Sequence, residues 1–220
     1  MPIVVVEAPS LGEGWLAVSR EILEQGAIAS YDGQTTRELA LLTLAIERPD
    51  SSDPLIAELG DPDWLDWMHR NFFDHAAVPE LGNARSYAAR LFDYGGAGRN
   101  QVAWVVERLR DDPEARSATI TTFEPLSDAS YIPCVSMLDF WLRDNPTEEQ
   151  HLELVVYAHS LDFGKKAYGN LVELAYLTEH VAGELGREVG PLIVHAKSAH
   201  VYEPEWALMA ELCSSSSARA

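Results

Sequence analysis

The sequence predicts an α+β fold in which helices pack against one sheet, mixed or mainly antiparallel. Three observations lead to this class. Segments with β-branched or alternating apolar residues cluster in the second half, amphipathic helical segments flank them, and no internal repeat or clear linker divides the 220 residues. Because 47% of the residues are hydrophobic, the chain can bury a sizeable core. We therefore expect a single domain over residues 1–213 and a flexible tail over 214–220.

The first half of the chain contains helix and strand signals. Ser10 followed by Glu13 has the pattern of a capping box, and Gly26 is a typical helix end. An apolar run that turns polar and stops at Pro49 is typical of a buried strand. The elements predicted here are a helix over 10–26, a strand over 38–49, a loop over 50–62 and an aromatic amphipathic helix over 62–73.

The second half is richer in strands. Branched and alternating residues favour strands in four segments, and apolar residues at helical spacing favour an amphipathic helix between the last two strands. A Gly-rich loop, "YGGAGRN", precedes the first helix of this half. The predicted elements are helices over 100–113, 170–186 and 204–213, and strands over 117–125, 134–144, 151–160 and 191–202.

The charge of the chain excludes several kinds of partner. Lys and Arg number 16 against 35 Asp and Glu, a formal net charge of −19, which repels duplex nucleic acid and anionic membranes. No apolar run approaches the roughly 20 residues of a membrane span, and "MPIVVVEAPS" lacks the basic start of a signal peptide. Two distant cysteines do not form a disulfide framework. We expect a cytoplasmic protein without nucleic-acid or membrane partners, and we predict no metal site.

Several polar residues fall at the ends of second-half elements, where sheet proteins often build sites. Each has an ordinary structural explanation when taken singly. A cysteine in an apolar strand is usually part of the core, an asparagine before a helix is usually a cap, and an aspartate after a strand often forms a turn. Together they are candidates for a site: Cys134, His159, Ser160, Asp162, Asn170, His200 and Tyr202.

The motifs "PC", "HSLDFGKKAYGN" and "HVY" resemble those of the thymidylate synthase family, which includes the pyrimidine-nucleotide hydroxymethylases. Asn170 follows His159 by 11 positions (170 − 159), and His200 follows Asn170 by 30 (200 − 170), as in that family. The resemblance covers about residues 94–206 and is greatest to short archaeal-type members. It implies a thymidylate synthase-like fold that dimerises through its sheet.

Two further positions come from the same resemblance. "DDPEARSATITTF" is similar to the family's Asp-Pro-x-x-Arg-Arg segment, which places Arg116 on an arginine that reaches the partner subunit's site in the family. "YGGAGRNQV" is similar to its Tyr-Gly loop, which points to Tyr94. The resemblance implies that Cys134 adds to C6 of a pyrimidine, that Tyr94 moves the C5 proton and that Asn170 reads the base edge. The implied substrate contacts are the phosphate at Arg116, His159 and Ser160, the base O2 side at Asp162, and the sugar hydroxyl at His200 and Tyr202.

The implied one-carbon donor is 5,10-methylenetetrahydrofolate or a related reduced pterin, and the implied acceptor is a pyrimidine nucleotide or nucleoside. Only 18 residues follow Tyr202 (220 − 202), whereas longer synthases carry a segment that excludes water from the folate. We therefore favour a hydroxymethyl product slightly over methyl. The alternatives are thymidylate synthase proper, which makes dTMP from dUMP, and a catalytically inactive nucleotide-binding relative, against which the retained Cys134 argues.

The phosphate site departs from the family pattern. His159 stands where the family has arginine, and Ser117 stands where it usually has a second one. A neutral imidazole lacks the bidentate fork of a guanidinium. A substrate with a different sugar, or one without phosphate, is therefore compatible with the sequence. Other cations are available to compensate, although the lysine pair could equally be a solvated loop: Arg37, Lys165, Lys166 and Lys197.

The region before residue 90 also departs, because the family's Glu-Leu-x-Trp helix has no clear counterpart there. Asp63 or Asp66 could replace the missing glutamate. Trp64 and Trp67 could cover the base and the cofactor, or pack in the core. Asn170 favours uracil by donor–acceptor matching, but a flipped amide reads cytosine, so the base stays open.

Overall fold

The structure is a computed structural model that describes residues 3–31, 33–74, 76–128, 131–145 and 148–217. It contains a mixed eight-stranded sheet, which confirms the predicted α+β class. The α-helices are α1 Leu11–Gln25, α2 Pro54–Leu59, α3 Pro62–His69, α4 Tyr87–Phe92, α5 Gln101–Asp111, α6 Ala167–Leu185 and α7 Trp206–Ser217. The strands are β1 Val4–Ala8, β2 Ala27–Tyr31, β3 Gln34–Ile46, β4 Ala77–Val78, β5 Ala84–Arg85, β6 Ala118–Thr121, β7 Val135–Asn145, β8 Glu148–Ala158, β9 Leu161–Asp162 and β10 Glu188–Tyr202.

Side-chain caps explain where the early helices begin. Ser10 Oγ accepts a hydrogen bond from the Glu13 N–H at 3.4 Å, as the capping pattern predicts for α1. The loop predicted over 50–62 instead contains α2, because Asp53 caps it through the N–H groups of Leu55 and Ile56. Asp followed by Pro is typical of a turn, but it is also a favourable start for a helix, and Asp53-Pro54 starts α2.

Two predicted boundaries differ from those in the structure. The helix predicted over 62–73 begins at Pro62, but its regular part ends at His69 and a π-helical turn, Arg70–Asp74, follows. Residues 214–217, predicted as part of the tail, continue α7, while 218–220 lie outside the described residues.

The sheet has the strand order β1-β3-β10-β8-β7-β6, with β2 also paired to β3 and β9 also paired to β10. The β1–β3 and β10–β8 pairs are parallel, and the β3–β10, β7–β8 and β6–β7 pairs are antiparallel. The first half therefore adds β1 and β2 to the predicted β3. Short β1 was missed because its ladder depends on a distant partner, with Val4 opposite Leu42.

The two faces of the sheet differ in their environment. Helices α1, α5 and α6 pack against one face, where Leu138, Phe140 and Val156 are at most 1% exposed. On the other face, consecutive register partners form a row that we call the open face: Val5, Thr43, His195, Tyr157 and Met137. Its apolar members remain exposed, with Val5 at 61%, Tyr157 at 40% and Met137 at 41%.

Candidate active site

Cys134 lies directly before β7 and is fixed by hydrogen bonds to its backbone and to that of its neighbour. Its carbonyl accepts the N–H of His159 at 3.0 Å, next to the pairing of Val135 with Ala158. The Val135 N–H donates to the hydroxyl of Tyr87, at the start of α4, at 2.9 Å. The Cys134 side chain is half-buried. The predicted nucleophile and the His159 position therefore meet where β7 begins and β8 ends.

Asp162 and His200 are neighbours on adjacent strands. They are register partners in the parallel pair β9–β10, and the Phe163 N–H donates to the His200 carbonyl at 2.8 Å. The Asp162 carboxylate accepts the Gly164 N–H at 3.1 Å. The rings of His200 and Tyr202 meet edge to face, with centroids 5.0 Å apart. The structure thus brings Asp162 together with the predicted sugar-binding pair.

Asn170 lies in the first turn of α6, where its N–H donates to the Lys166 carbonyl at 3.1 Å. Its side chain is buried, and Nδ2 donates to the Met68 thioether sulfur at 3.0 Å. A thioether is a weak acceptor, so this hydrogen bond holds the Asn170 amide only weakly. The side-chain carbonyl of Asn170 retains its capacity to accept a hydrogen bond from a base.

Burial and nearby charges set the protonation of the central groups. Burial raises the pKa of the Cys134 thiol, Asp162 raises it further, and the Lys166 ammonium lowers it. Burial also raises the pKa of Asp162 to about 6. Burial, followed by the charge of Lys166, lowers the pKa of His200 to about 4. His200 is therefore neutral at pH 7 and offers one donor and one acceptor.

His159 does not supply the charge of the arginine it replaces. Burial and then the charge of Lys197 lower its pKa, so the imidazole is neutral near pH 7. Its Nδ1 lies 3.3 Å from Ser136 Oγ. Ser160 follows it, half-buried, just before β9. An anion bound beside His159 and Ser160 therefore depends on Lys197 or on other cations for its counter-charge.

The tyrosines around Cys134 include two that the sequence did not single out. The Tyr94 hydroxyl, the predicted proton carrier, donates to the Phe123 carbonyl at 2.9 Å. Tyr87 and Tyr131 are instead the ones whose charges interact with the thiol. Burial raises the pKa of both phenols, Tyr131 raises that of Tyr87 further, and the charge of Cys134 raises both. Tyr87 resembles an ordinary core aromatic in the sequence, and it does stack on Phe72.

Arg116 lies far from Cys134 within one subunit. It is exposed just before β6 and lines a cavity of about 530 Å³ with Trp141, Leu142 and Arg143. Leu142 is eight residues along β7 from Cys134 (142 − 134), which corresponds to about 26 Å of strand. The structure therefore does not unite Arg116 with the other candidates of the same chain.

The aromatic helix α3 faces the loop that carries Lys165 and Lys166, which we call the lysine loop. The Lys165 and Lys166 ammonium groups lie 4.8 and 5.6 Å from the centroid of the Trp64 ring. Trp67 meets Trp64 edge to face at 5.3 Å, and both indoles are half-buried against the core. The lysine loop is thus more than a solvated pair, because an indole face attracts cations.

The remaining charged candidates have other partners. Asp63 and Asp66 are exposed, and Asp66 forms an ion pair with Arg70 at 3.0 Å. Arg37 lies over the Trp206 ring at 5.1 Å and donates to the Leu23 carbonyl. A further buried carboxylate, missed in the sequence, is Glu173 on α6, which contacts His69 Nδ1 at 3.1 Å.

The fold and the site define a protein of the thymidylate synthase family. The family model described as thymidylate synthase matches residues 50–219, and the chain belongs to that family. It is 28% identical to a Methanothermobacter thermautotrophicus protein over 90% of this chain and 93% of that one, and 30% identical to a Methanothermobacter marburgensis protein over 90% and 92%. Both carry the name "Putative thymidylate synthase". A bifunctional dihydrofolate reductase-thymidylate synthase of Leishmania major is 26% identical over 70% of this chain and 32% of its own.

None of the helices in the described ranges is long and apolar enough to cross a membrane.

Proposed function

We propose that the chain transfers a one-carbon unit to C5 of a pyrimidine nucleotide, with Cys134 as the nucleophile. The observation that carries the proposal is the meeting of Cys134, Asp162, Asn170 and His200 around one set of strand ends, at the spacings of the family. Charge coupling between Cys134 and Asp162, and the helix turn that links Asn170 to Lys166, support one continuous site.

Cys134 acts by making C5 a nucleophile. The Cys134 sulfur forms a bond to C6 while the C5–C6 π pair moves toward the carbonyl at C4. C5 then bonds to the one-carbon unit and loses its proton, and the unit exchanges its bond to the donor for a bond to water oxygen or to hydride. Departure of the thiolate from C6 re-forms the C5–C6 double bond. Tyr87 is a stronger candidate than Tyr94 for handling that proton, because its hydroxyl accepts the N–H of the residue next to Cys134.

The substrate roles follow the residue types. Asn170 reads the N3–O4 edge of the base, with uracil favoured, and the amide at Asp162 faces O2. Neutral His200 and Tyr202 hold the sugar hydroxyl. His159 and Ser160 bind phosphate together with Arg116 from a second copy. Because His159 is neutral, phosphate affinity depends strongly on Arg116 and on Lys197.

5,10-Methylenetetrahydrofolate, when bound, supplies an electrophilic one-carbon unit. The residues present fit this cofactor, since Trp64 and Trp67 offer half-buried aromatic surface and the exposed Lys165 ammonium adds a positive charge for an acidic tail.

A homodimer is part of the proposal. The open face leaves Val5, Tyr157 and Met137 exposed, and Arg116 is distant from the Cys134 of its own subunit. Two sheets packed through their open faces would bury the apolar row, and the second copy would supply the missing arginine.

The product has two candidates. One is the hydroxymethyl product expected above, and the other is the methyl product and therefore dTMP, which the names of the relatives favour. Product mass after incubation with methylenetetrahydrofolate separates them, because water capture adds a hydroxyl that hydride transfer does not.

The test is tritium release from C5-labelled dUMP, UMP, dCMP and CMP, with and without methylenetetrahydrofolate. We expect exchange with at least one of them, loss of exchange in Cys134→Ser, and retention in Cys213→Ser, whose buried thiol contacts the Leu16 carbonyl instead. Folded protein that exchanges none of the four would favour the inactive nucleotide-binding relative.

A further inference from the structure

We propose that Lys166 is the cation that sustains the Cys134 thiolate, because the neighbouring His159 is neutral and supplies no positive charge. The proposal rests on the proposed function for its catalytic meaning, whereas the charge relation itself is measurable without substrate. Lys166 is a positioning residue here, because it acts through the sulfur of Cys134 and not on the pyrimidine.

Backbone hydrogen bonds hold Lys166 beside the site. The segment 159–166 begins at the His159 N–H, bonded to the Cys134 carbonyl at 3.0 Å. It passes through Asp162, the register partner of His200. It ends where the Lys166 N–H donates to the Asp162 carbonyl at 3.0 Å and the Lys166 carbonyl accepts the Asn170 N–H at 3.1 Å. The segment therefore starts beside Cys134 and turns back on itself, so that Lys166 lies between the ends of the strands and the start of α6.

The side chain of Lys166 is restrained as well. It is half-buried, and its ammonium lies 5.6 Å from the Trp64 ring centroid. The Lys165 ammonium lies 4.8 Å from the same ring centroid, but the Lys165 side chain is exposed. A half-buried cation is screened less by water and salt than an exposed one. Lys166 is thus the member of the pair whose charge acts on the interior of the site.

Three groups on three different elements respond to the Lys166 charge. It lowers the pKa of Cys134 before β7, of Asp162 on β9 and of His200 on β10. The backbone hydrogen bonds of Lys166 to Asp162 and Asn170, and the pairing of Asp162 with His200, place its residue beside these groups. This placement matches the position that a thiolate counter-charge must occupy.

The other charges that face Cys134 do not favour its thiolate. Asp162 raises the thiol pKa, as burial does. The phenols of Tyr87 and Tyr131 are coupled to the sulfur and carry no positive charge. His159, bonded to the Cys134 carbonyl, has a lowered pKa and is neutral. Within the described part of one subunit, Lys166 is the positive charge that acts on this sulfur.

The test is the rate at which iodoacetamide alkylates Cys134 as a function of pH, in the full chain without nucleotide or folate. The thiolate sulfur forms a bond to carbon and iodide leaves, so the rate follows the thiolate fraction. Peptide mass spectrometry separates Cys134 from the buried Cys213. We expect Lys166→Gln to slow alkylation about threefold or more below the thiol pKa, since each tenfold loss of thiolate is partly offset by higher nucleophilicity. Above that pKa the variant should equal or exceed the wild-type rate.

Two matched variants isolate the charge. Lys166→Arg keeps it and should retain the wild-type profile. Lys165→Gln removes the neighbouring exposed ammonium from the same ring and should change the rate by less than about twofold. If Lys166→Gln is unstable, Lys166→Met keeps the aliphatic chain against Trp64. A neutral variant with the wild-type pH profile, or an equal effect from Lys165→Gln, overturns the proposal.

The same variants separate this proposal from the function it deepens. If Lys166→Gln changes the alkylation rate of Cys134 but the wild type exchanges no C5 tritium, the effect of the Lys166 charge on Cys134 is supported and the transferase function is contradicted. If the wild type exchanges tritium but Cys134 is alkylated at the same rate in Lys166→Gln as in the wild type, the transferase function is supported and the role of Lys166 is contradicted.

Discussion

Asp162 illustrates how burial and charge oppose each other at a single residue. Its carboxyl is held by backbone N–H donors, yet burial raises its pKa from 3.8 to about 6. The folded chain therefore binds this proton more tightly than the unfolded chain, and stability falls as pH rises from 3.8 to about 6. Asp162→Asn should flatten the stability curve over that window in urea unfolding. A wild type that gains stability relative to the variant over the same window would contradict this.

The buried pair of Arg90 and Asp128 should behave in the opposite sense. Their side chains are 1% and 5% exposed and 2.7 Å apart. Burial acts to raise the pKa of Asp128, but the Arg90 hydrogen bonds, the Glu124 N–H and the positive charge of Arg90 together outweigh it, so the pKa is lowered. The pair thus stabilises the fold above the ordinary aspartate pKa, and this contribution is lost as pH falls through the lower folded value.

Asp128→Asn should therefore cost roughly 3 kcal/mol of unfolding free energy at pH 7, because it leaves a buried guanidinium unpaired. The cost should shrink as the pH falls below the lowered pKa of Asp128, where the wild-type carboxyl also becomes neutral. Urea unfolding at several pH values measures both. Asp66→Asn, which breaks the exposed pair with Arg70, is the control and should cost less than about 0.5 kcal/mol. Equal losses in the two variants would refute this account.

Helices α3 and α6 are joined by Met68 with Asn170 and by His69 with Glu173. Burial raises the pKa of Glu173 to about 7 even though His69 lowers it. Since the folded pKa exceeds the ordinary 4.5, the contribution of Glu173 to the stability of the fold is greatest in acid and declines as pH rises from 4.5 to about 7.

Glu173→Gln should remove this pH dependence. We expect the variant to match or exceed the wild type in unfolding free energy at pH 8 and to lose that advantage at pH 4. Glu184→Gln, an exposed change on the same helix, should leave the pH dependence as it is. A Glu173→Gln variant with the wild-type pH slope would show that the carboxyl stays ionised in the fold.

The elements that could be predicted from sequence are those with local signals. The Ser10 cap, the amphipathic pattern of α6 and the branched residues of β7 and β8 all act within a few residues. α2 was missed because its cap uses the same residues as a turn. Tyr87 was missed because its contact with Val135 spans 48 positions and leaves no local trace. Only the family spacings indicated that Cys134, Asp162 and His200 would meet.

At the scale of the whole molecule, the open face should govern assembly. Tyr157 lies near its centre, between His195 and Met137. Tyr157→Asp places a charge where two sheets would meet, so light scattering should report a monomer and tritium exchange should fall with it. Leu208→Asp, on exposed α7 at 53%, should remain dimeric and active. A monomeric wild type would contradict the homodimer, and a dimeric Tyr157→Asp variant would locate the interface elsewhere.

The distance between Arg116 and Cys134 in one chain has a genetic consequence. If each site is shared between copies, Arg116→Ala and Cys134→Ser damage different halves of it, and neither homodimer works. After the two inactive proteins exchange subunits, about half the dimers are mixed, and each mixed dimer holds one site built from two undamaged halves. The mixture should recover about a quarter of the wild-type activity. Two alleles that fail separately would then complement each other within a single cell.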